Sequence, residues 1–225
     1  MRKYHTVLFD LDGTLTDSQE GITKCVQHAL SYFGIQEQDE EKLKLFIGPP
    51  LDDMFMELYG FSPEKAREAR EKYRERFSTV GLFENRPYEG IRELLVTLKE
   101  QGVILGVATS KPEIFSRKIL EKFNLNSYFT VISGADLEGI HGSKADVIRG
   151  ALKLLNRRPE ETEGILMVGD RKYDVEGARE CGLPCVGVGF GFAPPGELCE
   201  AGAAYYAETV ADLKELLVAL TRDVD

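Results

Sequence analysis

Short apolar runs recur along the chain at 6–9, 103–108, 129–133, 165–168 and 185–188, with a weaker one at 203–206. They are rich in Val and Ile and do not alternate with polar positions. Such runs read as strands covered on both faces, and hence as a parallel sheet. Stretches with a helical period lie between most of them. Residues 88–101 place Ile91, Leu94, Leu95 and Leu98 on one stripe and stop at Gly102, as an amphipathic helix with a glycine stop does. Helices are predicted over 112–123, 143–155 and 173–181, each following a strand, with Ser143 as an N-cap and Gly182-Leu183-Pro184 as a stop. Residues 209–220 predict a terminal amphipathic helix. This alternation predicts an open, doubly wound α/β sheet.

One stretch breaks the alternation. Between the first run and the second there is no good strand, but helical patterns appear at 19–33, 40–46, 49–59 and 63–78. Ser62-Pro63-Glu64 is a helix start with a cap, a proline at the first position and an acid in the first turn. A crossover needs only one helix. The surplus predicts a helical subdomain, residues 18–86, inserted after strand one of a core made of 1–17 and 87–225. The charged run 64–76 reads as the solvated face of one of its helices.

Composition narrows the class of partner. The 225 residues are 43% hydrophobic and 29% charged, an ordinary globular mixture. A formal net charge of -10 makes nucleic acid an unsuitable partner. No apolar run reaches the roughly 18–20 residues of a membrane span, and the first residues enter a strand-like run without a signal-peptide apolar region. A cytoplasmic protein is expected, with no membrane partner, as a monomer or weak homodimer. Cys25, Cys181, Cys185 and Cys199 form no Cys-x-x-Cys pattern and read as free thiols. His5, His28 and His141 are scattered, poor material for a zinc site or a Ser/His/Asp triad.

Ligands of such sheets bind beyond the carboxyl ends of the strands, so chemistry is sought there. Strand one ends in Asp10-Leu11-Asp12-Gly13-Thr14-Leu15. A carboxylate at the end of a buried strand is costly unless compensated. Two of them two residues apart suit a hard divalent ion such as Mg²⁺, which prefers oxygen ligands; a turn at Asp12-Gly13 with Asp10 as a cap is the plain alternative. Strand two ends in Thr109-Ser110-Lys111-Pro112. Hydroxyls and N–H groups feeding a helix can cradle an anion, and a simple N-cap at Ser110 fits as well. Lys144 opens the next helix, where a cation opposes the helix dipole; it is either a surface lysine or the partner of an anion. Strand four ends in Gly169-Asp170, with Asp174 four residues on, where an acid also serves as a helix cap. The four pieces fall on one edge of one sheet.

With those residues in place the chain resembles the haloacid dehalogenase-like hydrolases, and within them the phosphoglycolate phosphatase-like group with a helical cap after strand one. The resemblance covers nearly the whole chain. It rests on Asp10-Leu11-Asp12-Gly13-Thr14-Leu15, Thr109-Ser110, Lys144, and Gly169-Asp170 with Asp174. It implies a Rossmann-like core, a Mg²⁺ ion and transfer of the phosphoryl group of a small phosphorylated metabolite through an aspartyl-phosphate. By position it implies Asp10 as nucleophile and metal ligand. Asp12 is implied as general acid, then base, and as a main-chain metal ligand. Thr109 or Ser110 would hold phosphate oxygens, Thr109 being the motif position, and Lys144 would neutralise the phosphoryl group. Asp170 would be the second metal carboxylate, with Asp174 supporting. The cap would exclude water and choose the substrate.

The expected function is therefore a Mg²⁺-dependent phosphatase of a small phosphomonoester, phosphoglycolate-like or nucleotide. An inorganic pyrophosphatase or a β-phosphoglucomutase on the same core is the alternative. The loop Phe46-Ile47-Gly48-Pro49-Pro50-Leu51 has no Arg, which counts against a mutase; it reads either as a substrate loop or as a helix connection. Several phosphatase relatives carry Arg where His141 stands, and His141 reads as a bystander. A non-catalytic module on a retained fold would be expected to have lost an acid from the set, and none is missing.

Overall fold

The computed structural model describes residues 3–137 and 142–222. His141 lies outside the described residues. In chain order the elements are β1 (Thr6–Phe9), β2 (Thr16–Asp17), α1 (Gln19–Tyr32), α2 (Glu40–Lys44), α3 (Leu51–Tyr59), α4 (Pro63–Phe77), β3 (Arg86–Pro87), α5 (Ile91–Glu100), β4 (Ile104–Pro112), α6 (Glu113–Lys122), β5 (Val131–Ala135), α7 (Lys144–Leu154), β6 (Ile165–Gly169), α8 (Lys172–Glu180), β7 (Cys185–Val188), α9 (Glu197–Glu200), β8 (Tyr205–Ala207) and α10 (Val210–Thr221). Single 3₁₀ turns lie at Gly81–Phe83 and Asn126–Tyr128. The chain divides into two compact units, Met1–Thr16 with Pro87–Asp225, and Asp17–Arg86.

The first unit is an α/β fold around a six-stranded sheet in the order β5-β4-β1-β6-β7-β8, and its strand pairings are parallel. β1 lies between β4 and β6, with Thr6 facing Ile104 on one side and Ile165 on the other. Val7, Leu8 and Phe9 have no exposed surface. A strand covered on both edges and both faces has no polar face to show, which explains its unbroken apolar run. The chain moves outward from β1 through β4 to β5, then crosses to β6 on the other side. The order thus reverses at β1, and the crevice beyond its carboxyl end is the natural ligand position. Leu8, Ile148, Met167 and Val175 belong to one apolar cluster of the core, and helix α7 is capped by the Ser143 side chain, which accepts from Asp146 N–H.

The second unit is the helical insertion after β1. α1 buries Ile22, Cys25, Val26, Ala29 and Leu30, and α4 buries Ala66, Ala69, Tyr73 and Phe77. Between the buried positions of α4, Glu64, Arg67, Glu68 and Glu71 are exposed. Ser62 caps α4 by accepting from Lys65 N–H, with Pro63 behind it. The interior is aromatic: Phe46 and Phe55 lie 4.9 Å apart, Phe55 stacks on Phe61 at 5.9 Å, and Phe33 meets Phe61 at 5.1 Å. In the 46–51 loop Phe46 and Ile47 are buried, Gly48 has φ 108°, and Pro50 precedes α3.

Several boundaries differ from those the apolar runs predict. β4 continues past Ala108 to Pro112, with a register irregularity after Thr109, because its hydroxyl and lysine positions are still extended backbone. β5 starts at Val131 rather than 129 because Phe129 closes the 3₁₀ turn Asn126–Tyr128, its ring 6.4 Å from that of Phe9. Among the described residues no helix is long and apolar enough to cross a membrane.

Candidate active site

Asp10 is the first residue past β1, and its N–H donates to the Val168 carbonyl at 2.9 Å, so the sheet fixes its backbone. The chain then folds tightly around one carbonyl. Leu11 O accepts from Leu15 N and Thr16 N, both at 3.0 Å, and Gly13 N donates to Thr16 O at 2.8 Å. Gly13 has φ 80°, and a Cβ there would lie 2.1 Å from Asp170 Oδ2. Only glycine satisfies both the backbone conformation and the space.

Asp170 follows β6, which neighbours β1, so it arrives beside Asp10 by sheet order. It has no exposed surface. Thr14 Oγ1 donates to its Oδ1 at 3.2 Å and Phe192 N–H to its Oδ2 at 2.8 Å. Asp174 lies in the first turn of α8. Its Oδ2 accepts from Arg171 N–H at 3.0 Å, which turns Oδ1 inward. Asp10, Asp170 and Asp174 each offer a carboxylate oxygen within 4.8 Å of the others.

Lys144, at the start of α7, enters the same cluster and is 7% exposed. Its Nζ lies 2.8 Å from Asp10 Oδ1 and 2.7 Å from Asp174 Oδ1, and it donates to the Ala108 carbonyl at 3.3 Å. Asp10 Oδ1 and Asp174 Oδ1 are thus close to a cation but lack a well-directed hydrogen bond.

The electrostatics follow from that count. Burial pushes the Asp10 carboxyl up to about 6, opposed by Lys144 and reinforced by Asp174; the Thr109 hydroxyl adds a smaller opposing hydrogen bond. Burial, then Asp174 and Asp10, push Asp170 well above the usual carboxylate range. For Lys144, burial acts to lower the ammonium, but Asp10 and Asp174 outweigh it and the net direction is up. Three buried carboxylates face one buried ammonium, so the cluster is short of positive charge. Buried oxygens without directed partners, in an all-carboxylate set, fit a hard divalent cation such as Mg²⁺.

The other predicted residues sit as follows. Thr109 is buried and its Oγ1 accepts from Lys111 N–H at 3.3 Å. Ser110 is half-buried on the same strand end. The Asp12 carboxylate stands outside the three-acid cluster: its Oδ2 lies 2.5 Å from Lys111 Nζ. Asp174, expected as a supporting residue, is a full member of the cluster. Lys111 is the residue that the sequence pattern does not single out. Its signal was its place, immediately after the two hydroxyls at the end of β4.

Comparison with known proteins agrees with this geometry. Residues 7–188 match the family described as haloacid dehalogenase-like hydrolase. The chain is 46% identical over 215 residues to a 5'-nucleotidase of Pseudomonas aeruginosa, covering 96% of each protein. It is 39% identical over 213 residues to tyrosine-protein kinase PtkA of Mycobacterium tuberculosis, covering 94% of this chain and 72% of that one. A crystal structure of a predicted phosphatase from Clostridium acetobutylicum superimposes with a TM-score of 0.91 at 48% identity, over 96% of this chain and 99% of that chain. A family match across most of the sheet, with such relatives on either side of it, places the chain among the haloacid dehalogenase-like hydrolases.

Proposed function

We propose that this chain is a Mg²⁺-dependent phosphatase of small phosphomonoesters, and that nucleoside 5'-monophosphates are its leading substrate class. The observation that carries the reading is the buried cluster at the end of β1, in which Asp10, Asp170 and Asp174 each offer an oxygen within 4.8 Å of the others and Lys144 pairs with Asp10 and Asp174. The nucleotide preference is supported by the 46% identical relative described as a 5'-nucleotidase.

In this reading Asp10 and Asp170 hold the ion, with the Asp12 main-chain oxygen, and Asp174 keeps Lys144 and the acids aligned. Bound there, Mg²⁺ supplies neutralisation of the phosphoryl oxygens. Asp10 attacks phosphorus and becomes the aspartyl-phosphate. Lys144 neutralises charge on the transferring group. Thr109 and Ser110, with neighbouring N–H groups, hold phosphate oxygens at the strand end. Asp12 gives a proton to the leaving alkoxide, then takes one from the water that releases phosphate.

The test is a panel of adenosine 5'-monophosphate, phosphoglycolate, pyrophosphate and β-glucose 1-phosphate, assayed for phosphate release with and without Mg²⁺. Turnover that requires Mg²⁺, favours the nucleotide and falls about a thousandfold or more in Asp10→Asn is the expected result. Preference for pyrophosphate moves the assignment to a pyrophosphatase. Near-wild-type turnover in Asp10→Asn overturns it.

A further inference from the structure

Lys111 is a buried ammonium that the scheme above leaves idle. Its side chain is 6% exposed, and its Nζ lies 2.5 Å from Asp12 Oδ2. The two residues meet because β1 and β4 are neighbours in the sheet, Phe9 opposite Val107, and each chain continues a few residues beyond that pair. Asp12 therefore has two unlike oxygens. Oδ2 is held by a cation, while Oδ1 is buried and has no hydrogen-bond partner. A buried acceptor without a donor is costly.

The geometry points to Lys111 as the positioning residue of Asp12: it clamps Oδ2 and leaves Oδ1 as the atom that passes the proton. This rests on the phosphatase reading above. In the first half, the Asp10 oxygen–phosphorus bond forms, the phosphorus–alkoxide bond breaks, and the Oδ1 proton goes to the alkoxide. In the second half, a water oxygen attacks phosphorus, the Asp10 oxygen leaves, and the water proton goes to Oδ1. The carboxyl group is then as it began. Lys111 stays an ammonium throughout and exchanges nothing.

A lysine that gripped the phosphoryl group would act on every ester alike. One that places a proton donor acts only where the leaving group needs a proton. Adenosine 5'-monophosphate leaves as an alkoxide and needs it; p-nitrophenyl phosphate leaves as a stabilised phenolate and does not. The kcat/KM value reports events up to departure of the leaving group, so it isolates that step from the later attack of water. For Lys111→Met we expect kcat/KM on adenosine 5'-monophosphate to fall about tenfold or more, with KM within about threefold. On p-nitrophenyl phosphate kcat/KM should stay within about threefold. Asp12→Asn should lose at least as much kcat/KM on adenosine 5'-monophosphate as Lys111→Met, and the double variant should be no worse than Asp12→Asn alone. Lys111→Arg should recover part of the loss.

An equal fall on both esters, no fall on either, or losses that multiply in the double variant overturns the assignment. Thermal midpoints establish that each variant is folded; if Lys111→Met is not, Lys111→Gln and Lys111→Arg carry the same ester comparison. Asp10→Asn, run in parallel, separates the two readings. If it keeps turnover, the phosphatase reading falls and this assignment with it. If it abolishes turnover while Lys111→Met shows no split, the Lys111 assignment alone falls.

Discussion

The two units treat charge in opposite ways. The sheet unit takes Asp10, Asp12, Asp170, Asp174, Lys111 and Lys144 out of water and supplies fewer ammoniums than carboxylates. The helical unit fills its interior with rings, Phe33, Phe46, Phe55 and Phe61 among them. Its exposed charges pair at the surface, as Lys24 with Glu20 at 2.6 Å and Lys72 with Glu75 at 2.7 Å. Burying an unbalanced set of charges is unfavourable, whereas surface pairs contribute little. The first arrangement therefore marks chemistry and the second marks construction.

That contrast can be broken most severely at Phe55. Phe55→Ala should destabilise the helical unit by about 3–5 kcal/mol, read from urea unfolding; a loss below about 1 kcal/mol would mean the rings are not what holds it. Next comes Lys144→Met, which removes the ammonium between Asp10 and Asp174. Turnover should fall about a hundredfold or more, and added Mg²⁺ should raise the thermal midpoint of the variant. Unchanged turnover would make Lys144 a construction residue like those of the other unit.

A smaller effect is expected at Glu37. Its carboxyl is held down at about 2 by the Asp39 N–H first, then by Lys42 and Tyr59. A depressed folded value stabilises above the ordinary value of 4.5 and loses that contribution as pH falls toward about 2. Wild type should therefore lose more stability than Glu37→Gln between pH 7 and pH 3, measured by urea midpoints at the two values; parallel losses would remove Glu37 from the account. The smallest effect belongs to Lys44→Met, which should leave the thermal midpoint unchanged at 0.15 M salt, since its pair with Glu41 is solvated and screened.

Much of this was legible in the chain because burial and sequence pattern coincide in it. β1, β6 and β7 are unbroken apolar runs because both their faces are covered, and Ser62-Pro63-Glu64 starts α4 as its chemistry requires. Legibility ended where the sheet turns functional. The last residues of β4 are hydroxyls, Lys111 and Pro112, types that read as loop, so the apolar pattern ends at Ala108 and does not mark the lysine. The four-residue α9 is too short to show a period. The i, i+4 spacing of Asp170 and Asp174 placed both acids near a strand end but could not say that Arg171 N–H turns Asp174 toward Lys144. Register and side-chain direction across distant strands are tertiary facts that no local pattern carries.

The ion pair between Asp17 and Arg86, 2.9 Å apart, has a consequence for how this chain can change over time. It brings together the first and last residues of the helical unit, so the sheet sees the insertion as two adjacent attachment points whatever lies between them. The entropy of closing such an excursion grows only with the logarithm of its length. Residues 18–85 can therefore lengthen, shorten or be exchanged for another module with little effect on the strands that carry Asp10 and Asp170.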